Sequence, residues 1–318
     1  MASKKLLTVF GATGTQGRSV LNAVLAHPTL KTQFSLRGIT RDPSKPNAQE
    51  LTKLGVEMVR ADMNDAASLR AGVAGSHAVF AVTNYWESRS KAAEVAQGRA
   101  IVDAAIAEQV KVFVWSALPH GGRLTGGRLQ GLHHFDSKAD IAEYLDGAKG
   151  QSGMVGVHVE PSFYMQNLRG MINKGPDGVP ALVMPWSGSE TKVPLVDAVV
   201  DFGRYVAGAL AADPAKVDGK HISAVSEWST PEEIVAQLNE SGGTNVQFKQ
   251  VPEDVFSGFL PKEMAEEMTE NMVLVRDYSY YGVKGKEEQI FKDNEAVIGK
   301  IQTTSFKEFV SSNGPWKW

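Results

Sequence analysis

The sequence predicts an α/β fold: a doubly wound parallel sheet with a smaller second α/β domain built from two discontinuous segments. Three observations predict it. Short apolar runs alternate with helical patterns through the first half of the chain, which is typical of parallel strands buried on both faces. A glycine-rich turn directly follows the first apolar run. After Pro161 the chain changes to segments rich in Gly, Pro and Met, and then to short helices.

The predicted elements divide the chain into two parts. The expected strands of the main sheet are residues 6–10, 34–40, 56–60, 78–82, 110–115, 155–159 and 222–225. The clearest helical patterns are residues 18–27, 95–106 and 133–145. We expect a Rossmann domain over residues 1–161, to which 191–226 return through a strand and helix at 193–210. Residues 162–318, mainly 162–190 and 227–318, are expected to form a smaller substrate or partner domain.

Composition excludes several classes of function. The chain has 318 residues, a formal net charge of −3 and no cysteine. The lack of cysteine excludes disulfides, thiolate catalysis and zinc–cysteine sites, so any redox role must use a bound cofactor. The charge balance gives no reason to expect direct binding to nucleic acid or to an acidic membrane surface. No apolar run approaches the ~18–20 residues that cross a bilayer, and we expect a cytoplasmic protein, with the nucleus as a second location.

The first strand is followed by a turn, residues 11–17, that has the order and spacing of a dinucleotide-binding turn. Gly11 permits the tight turn, Gly14 lets the backbone approach a pyrophosphate, and Gly17 lets the helix pack closely on the sheet. The N–H groups at the start of the helix then face the anion. The alternative is a structural glycine turn that binds no ligand.

The residues after the second strand favour NADP(H) over NAD(H). An NAD site carries Asp or Glu about 20 residues past the glycine motif, whereas Thr40 and Arg41 stand here, with Lys45 close behind. A guanidinium can make bidentate bonds to a 2′-phosphate that a carboxylate would repel. The alternative is that Arg41 is a solvated surface charge.

Two further strand ends are expected along the same ligand, because ligands bind at the carboxyl ends of parallel strands. Asp62 and Met63 are placed to meet the adenine ring, and Thr83 and Asn84 to lie along the cofactor. For each pair, an ordinary place in a loop is as strongly expected as a contact with the cofactor.

The start of the helix predicted from residue 133 offers candidates for catalysis. Short-chain dehydrogenases use a tyrosine four residues before a lysine as general acid, and here His134 stands four residues before Lys138. A histidine can move a proton near neutral pH, Lys138 could act as a base if it were held uncharged, and Ser116 could reach the cleft from the fifth strand. The alternatives are a structural or surface His134 and a Lys138 that only holds ribose hydroxyls.

His120, His133 and His134 lie near one another in the sequence. They lack helical i, i+4 spacing and a nearby carboxylate set. We therefore predict no metal centre among them.

These motifs make the sequence similar to the NmrA-like family of atypical short-chain dehydrogenases, and most similar to its NADP(H)-sensing redox-sensor branch. The resemblance covers essentially the whole chain. The strings that carry it are residues 10–17, 40–45, 83–88, 97–98, 127–129, 134–138, 161–168, 176–178 and 193–201. The strings Thr-Asn-Tyr-Trp-Glu-Ser at 83–88 and His-Phe-Asp-Ser-Lys at 134–138 are the most specific.

The resemblance implies a protein that binds NADP(H) without the usual catalytic tyrosine and reports the NADPH/NADP⁺ balance through its conformation and its partner, often as a homodimer. Related sensors have a lysine where Ala96 stands here. The resemblance also implies the cofactor contacts, which are Gly11, Thr13, Gly14, Thr15, Gln16, Gly17, Arg41, Lys45, Asp62, Met63, Thr83, Asn84, Tyr85 and Lys138, with Pro161, Phe163, Tyr164 and Asn167 lining the nicotinamide end.

Two functions remain open on the sequence. One is a redox sensor that binds NADP(H) and regulates a protein partner. The other is an NADPH-dependent reductase of a small quinone, carbonyl or enone compound that uses Lys138, with help from His134 or Ser116. A DNA-binding regulator is disfavoured by the charge balance. Residues 163–165 and 264–272 are candidates for the moving or partner-facing surface, with plain core packing as the alternative.

Overall fold

The computed structural model describes residues 3–150 and 152–318, and three sheets organise them. The strands in chain order are β1 (Lys5–Val9), β2 (Phe34–Thr40), β3 (Glu57–Arg60), β4 (Ala78–Ala81), β5 (Val112–Ser116), β6 (Val155–Pro161), β7 (Phe163–Tyr164), β8 (Ile172–Lys174), β9 (Pro180–Met184), β10 (Val193–Val196), β11 (His221–Ala224), β12 (Glu227–Ser229) and β13 (Gln247–Gln250). The main sheet is parallel throughout, with the order β11-β6-β5-β4-β1-β2-β3. The two small sheets have the orders β12-β10-β7 and β13-β9-β8.

Helices connect these strands. They are α1 (Thr15–Ala26), α2 (Leu30–Gln33), α3 (Pro46–Lys53), α4 (Ala66–Val73), α5 (Tyr85–Ser88), α6 (Lys91–Ala107), α7 (Gly121–Leu124), α8 (His133–Lys149), α9 (Leu168–Met171), α10 (Asp201–Ala211), α11 (Pro214–Val217), α12 (Pro231–Gly242), α13 (Glu253–Ser257), α14 (Lys262–Tyr278), α15 (Gln289–Ile298) and α16 (Phe306–Ser312). A single 3₁₀ turn, Met165–Asn167, precedes α9.

The strand order reverses beside β1. From β1 the chain moves outward through β2 and β3, and then returns to place β4 on the other side of β1. Ligands of doubly wound sheets bind at this reversal, outside the carboxyl ends of the strands. The glycine turn after β1 and the segment after β4 therefore face the same crevice.

Each face of the main sheet has its own core. On one face, Val20 and Leu21 of α1 pack with Phe202 and Tyr205 of α10. On the other face, α4, α6 and α8 bury their apolar residues against the opposite side of the same strands. The predicted α/β fold with a doubly wound parallel sheet is confirmed, and β2 has the predicted bounds.

A third core lies among the residues after Pro161. It contains Trp186 and Phe306, and it also receives Phe135 from α8. Phe163, Met165 and Met272 are buried in it, so core packing is what the structure shows for these members of the Met- and aromatic-rich segments. The division of the chain into two domains stays a prediction.

One predicted element lies in a different sheet. Residues 193–210 were expected to return to the main sheet, but β10 pairs antiparallel with β12 and parallel with β7 in a small sheet. The prediction is wrong for this strand, because an apolar strand pattern does not specify its pairing partner. The helix that follows, α10, does pack on α1 beside the main sheet.

Among residues 3–150 and 152–318, the structure contains no helix with the length and apolar character needed to span a bilayer.

Candidate functional site

The glycine turn after β1 is tightly closed. Gly11 has a φ of +62°, and its carbonyl accepts a 2.9 Å hydrogen bond from the N–H of Gly14. A Cβ on Gly17 would lie 2.3 Å from the Gly11 oxygen, so only glycine allows α1 to start this close to the turn. A Cβ on Gly14 would meet only that oxygen, at 3.3 Å, among the described atoms within 4 Å. This side of the turn is open to an approaching group.

Helix α1 begins at the open side of the turn. Gly14 occupies the N-cap position, and no side chain of the described residues caps this end. The first N–H groups of a helix have no partner within the helix, so an uncapped start is suited to an anion. The glycine turn thus fits a pyrophosphate, both in the space it leaves and in the donors it presents.

Positive charge stands at the end of β2. The Arg41 side chain is 67% exposed and pairs with the carboxylate of Glu87 in α5. The hydrogen bond and charge of Glu87 raise the pKa of Arg41. Lys45 is also exposed, at the start of α3. Both cations are accessible to an external phosphate.

The segment after β3 is held by local hydrogen bonds. The Asp62 carboxylate accepts from the backbone N–H and the side-chain amide of Asn64, at 2.9 and 3.0 Å. Met63 is half-buried against the core under α4 and α6. For Asp62, ordinary loop chemistry accounts for the contacts seen, and its contact with an adenine ring stays a prediction.

Lys138 lies in a buried polar network. Its Nζ donates to Glu94 Oε1 at 2.7 Å and to the hydroxyl and carbonyl oxygens of Thr83 at 3.1 and 3.2 Å. The Glu94 side chain is fully buried and also accepts from Thr83 and Ser137. An ammonium has three donors, and all three have partners here. This arrangement favours a charged Lys138 that holds the segment after β4, and disfavours Lys138 as a base.

Ser116 is connected to the glycine turn. Its hydroxyl donates to Gln16 Oε1 at 2.7 Å, and Gln16 Nε2 donates to the Tyr164 hydroxyl at 2.5 Å. Three residues predicted from distant parts of the sequence therefore form one chain of hydrogen bonds between α1, β5 and β7. Burial raises the pKa of Tyr164, so its hydroxyl remains protonated.

His134 is held by a carboxylate from α14. Glu267 Oε1 lies 2.6 Å from His134 Nδ1 and 2.7 Å from the His134 backbone nitrogen, and Glu267 Oε2 accepts from the Tyr85 hydroxyl at 2.9 Å. An ionised carboxylate only accepts hydrogen bonds, so Nδ1 carries the proton, and Nε2 makes no hydrogen bond to any of the described residues. No side chain within the start of α8 caps that helix, and Glu267 supplies the cap from outside.

The pKa values of this group follow from the same contacts. Burial opposes ionisation of Glu267, but the hydrogen bonds from His134 and Tyr85 outweigh it and lower its pKa. Burial, followed by the bond to Glu267, raises the pKa of Tyr85. An ionised Glu267 and a neutral Tyr85 phenol are therefore the stable pair.

The other predicted cofactor residues have varied surroundings. Thr15, Asn84 and Asn167 are exposed and Thr13 is half-buried. Pro161 is buried at the end of β6. The Phe163 ring packs 5.9 Å from that of Trp186, in the third core. Their contacts with a cofactor stay predictions.

Two central residues, Glu94 and Glu267, were missed in the sequence. Glu94 has a local signal, since it lies on the buried face of α6 with Gly98, Ile101 and Val102 at helical spacing. A carboxylate on such a face requires a partner. Glu267 has no comparable signal, because its partners are more than 130 residues away in the chain.

Comparison with known proteins assigns the chain and its fold to a family. The NmrA-like family model matches residues 3–310. The chain belongs to the NmrA-like family. It is 30% identical over 264 residues to an NmrA-like family domain-containing oxidoreductase of Penicillium ochrochloron, covering 78% of this chain and 76% of that protein.

Solved structures of this fold superpose on nearly the whole chain. NmrA, a negative transcriptional regulator solved in complex with NADP, has a TM-score of 0.78 at 18% identity and covers 98% of this chain and 95% of its own. An NADPH-dependent quinone oxidoreductase of Escherichia coli solved with NADPH has a TM-score of 0.71 at 21% identity, with 96% and 99% covered. At these identities the likeness shows a shared fold.

Proposed function

We propose that this NmrA-like protein binds NADP(H) and acts as a redox sensor that changes its conformation and its partner with the cofactor. The glycine turn and the start of α1 would hold the pyrophosphate, and Arg41 with Lys45 would hold the 2′-phosphate. The two relatives of the same fold solved with NADP and NADPH support this cofactor. When bound, NADPH can donate a hydride. The side chains around it determine whether that hydride is transferred to a substrate.

The sensor proposal rests on the hydrogen bonds between Glu267 of α14 and two residues beside the proposed cofactor site, Tyr85 and His134. The Glu267 carboxylate links α14 to two residues. One is Tyr85, which directly follows the segment held by Lys138, and the other is His134, at the start of α8. A ligand that moves α5 or α8 must change these bonds. A sensor needs such a contact, because occupancy shifts a conformational equilibrium only through interactions that differ between the two states.

The state of Lys138 also supports sensing over turnover. In this structure Lys138 Nζ is paired with a buried carboxylate, and the position of the usual catalytic tyrosine is occupied by His134. We therefore assign Lys138 to holding the segment after β4, with Thr83, against the cofactor.

A specific observation favours a reductase as the second candidate. His134 and Glu267 form a histidine–carboxylate pair through Nδ1, and no residue in the described part of the chain bonds to Nε2. This arrangement is suited to proton transfer. A curated relative is named an oxidoreductase, and a relative of the same fold is an NADPH-dependent quinone oxidoreductase. A small quinone, carbonyl or enone compound would be the substrate class.

One experiment separates the two candidates. NADPH binding is measured by calorimetry, and NADPH oxidation is then followed with a panel of quinones, aldehydes and enones. We expect saturable binding at one equivalent and oxidation no faster than without protein. Turnover that is lost in His134→Gln with NADPH affinity retained, and kept in the control His133→Gln, would establish the reductase instead.

The partner of the sensor is proposed to be another protein, either a regulatory partner or a second copy of this chain. Light scattering in saturating NADPH and in saturating NADP⁺ tests the second copy. A mass that doubles in one redox form supports a homodimer that responds to the cofactor. The same mass in both forms directs the search to a different protein.

A further inference from the structure

A second group of polar side chains lies at the outer edge of the main sheet. His158 of β6 and His221 of β11 are register partners on neighbouring parallel strands, and their ring centres are 4.5 Å apart. Asp146 of α8 reaches the same place, with its Oδ2 3.1 Å from His158 Nε2. One ligand atom from each of the three residues lies within 4.8 Å of the other two. Asp146 stands eight residues past Lys138 in α8, about 12 Å along the helix, so this group is separate from the Lys138 network.

His221 has the supporting contact that metal-binding histidines have. Its Nδ1 lies 2.7 Å from the carboxylate of Glu160, which is almost fully buried. A hydrogen bond from Nδ1–H to a carboxylate fixes the tautomer and leaves Nε2 free as a ligand. The His221 side chain is half exposed, so an ion can reach it from the solvent.

His158 has an unused nitrogen. The residue is fully buried, and its Nδ1 has no hydrogen-bond partner among the described residues. The other ring nitrogen, Nε2, faces Asp146 Oδ2 at 3.1 Å and is the atom that would bind an ion at this place. The unused Nδ1 points away from Asp146 and adds no support for the ion.

The local charge suits a dication. Asp146, Asp218 and Glu160 supply three carboxylates, and the Lys149 ammonium contacts Asp146 and Asp218. With both imidazoles neutral, these groups sum to a charge of −2. Lys149 Nζ contacts Oδ1 of Asp146 at 2.8 Å, whereas Oδ2 faces His158. Asp146 Oδ2, which faces His158, is therefore not the oxygen that Lys149 contacts.

We propose that Asp146, His158 and His221 bind one divalent transition-metal ion of the zinc or cobalt class, which joins α8, β6 and β11. Two imidazoles and one carboxylate suit Zn²⁺, Co²⁺ or Ni²⁺, whereas Ca²⁺ and Mg²⁺ prefer sets of oxygen ligands. The ion would link the edge strand β11 to β6 and to α8.

Cobalt and zinc serve as the probes for this site. The full chain, treated with a chelator and carrying no histidine tag, is titrated with Co²⁺ and followed by visible absorption. We expect bands of protein-bound Co²⁺ that saturate at one equivalent, and a Zn²⁺-dependent rise in Tm. His221→Ala and Asp146→Asn should each weaken Co²⁺ binding at least ~tenfold, the effect expected for disturbing a metal site.

The matched control is His133→Ala, which also removes one imidazole but from an exposed position. It should bind Co²⁺ as the wild type does. The proposal is overturned if the wild type shows no saturable absorption, or if His221→Ala and Asp146→Asn bind Co²⁺ as tightly as the control. Because His221 and Asp146 are both partly exposed, the two variants give independent tests that do not require a change in the core.

Discussion

The two ends of the candidate dinucleotide site differ in how far the protein already uses their polar groups. At the phosphate end, none of the side chains that the structure describes caps the start of α1, and Arg41 pairs with the exposed carboxylate of Glu87. At the other end, Lys138 and His134 are both bound to carboxylates from other elements. The comparison indicates that the phosphate end is arranged to receive a ligand. At the other end, a ligand that displaces Lys138 or His134 must change bonds that already join distant segments.

The largest expected effect tests the buried end. Lys138→Met leaves Glu94 buried without its cation, which should lower the free energy of unfolding by about 3–5 kcal/mol. The double variant Lys138→Met/Glu94→Gln should recover most of that loss, because no unpaired charge remains. Urea unfolding measures both. Lys91→Met is the control, since its pair with Asp140 is partly exposed and should cost less than about 1 kcal/mol; equal losses in the two lysine variants would contradict the assignment.

The next effect tests the open end. Gly14→Val places a branched side chain on the side of the turn where, among the described atoms, its Cβ meets only the Gly11 oxygen, at 3.3 Å, and where a pyrophosphate would lie. Binding of NADPH and NADH should both weaken by more than ~100-fold, about 2.7 kcal/mol by the usual conversion. Gly147→Val, at a helical glycine with open space around its Cβ position, should leave both affinities unchanged in calorimetry. Retained binding in Gly14→Val would remove the turn from the site.

A smaller and selective effect is expected at Arg41. Arg41→Asp should weaken NADPH by about 10- to 100-fold, the range for charge-assisted hydrogen bonds of about 1.5–3 kcal/mol. NADH, which lacks the 2′-phosphate, should change little. Lys53→Asp makes the same charge reversal at another exposed position and controls for long-range electrostatics. If NADPH and NADH lose the same factor, Arg41 does not contact the 2′-phosphate.

The smallest effect concerns the link to α14. Tyr85→Phe removes one donor to Glu267 and should lower the free energy of unfolding at pH 7 by about 1 kcal/mol. The folded protein lowers the pKa of Glu267, so this stabilisation is complete above the unfolded pKa of about 4.3 and is lost as the pH falls through the folded value. The difference in the free energy of unfolding between the wild type and Tyr85→Phe should therefore become smaller at acidic pH.

Tyr144→Phe is the matched control for that pH series. It removes a hydroxyl that donates to Asp103 on the surface, where a hydrogen bond contributes less. A gap between wild type and Tyr85→Phe that stays constant from pH 7 to pH 3 would show that Glu267 does not accept this bond in its ionised form.

The sequence predicted those parts of the fold that depend on local pattern. The strand at 34–40, the glycine turn and the helix from residue 133 were all evident, because apolar periodicity and glycine spacing are local properties. The sheet to which β10 belongs was not evident, because residues 193–196 have the pattern of a buried strand in either sheet. Pairing depends on partners far along the chain.

The same limit applies to the side chains of the sites. Arg41 and Lys138 could be chosen by their distance from a motif. The Gln16–Tyr164 bond and the Glu267–His134 contact join residues more than 130 positions apart, and no spacing indicates them. The His158–His221 pair was missed for the same reason, since only the register of β6 with β11 brings the two rings together.

Hydrogen–deuterium exchange of the wild type, with and without saturating NADPH, tests the central claim most directly. If occupancy is relayed through Tyr85 and Glu267, exchange should change both in the glycine turn and in α14, and the change in α14 should be lost in Tyr85→Phe while NADPH still binds. A response confined to the glycine turn and the neighbouring strand ends, with α14 unaltered, would contradict the claim that this site reports its cofactor to the rest of the molecule.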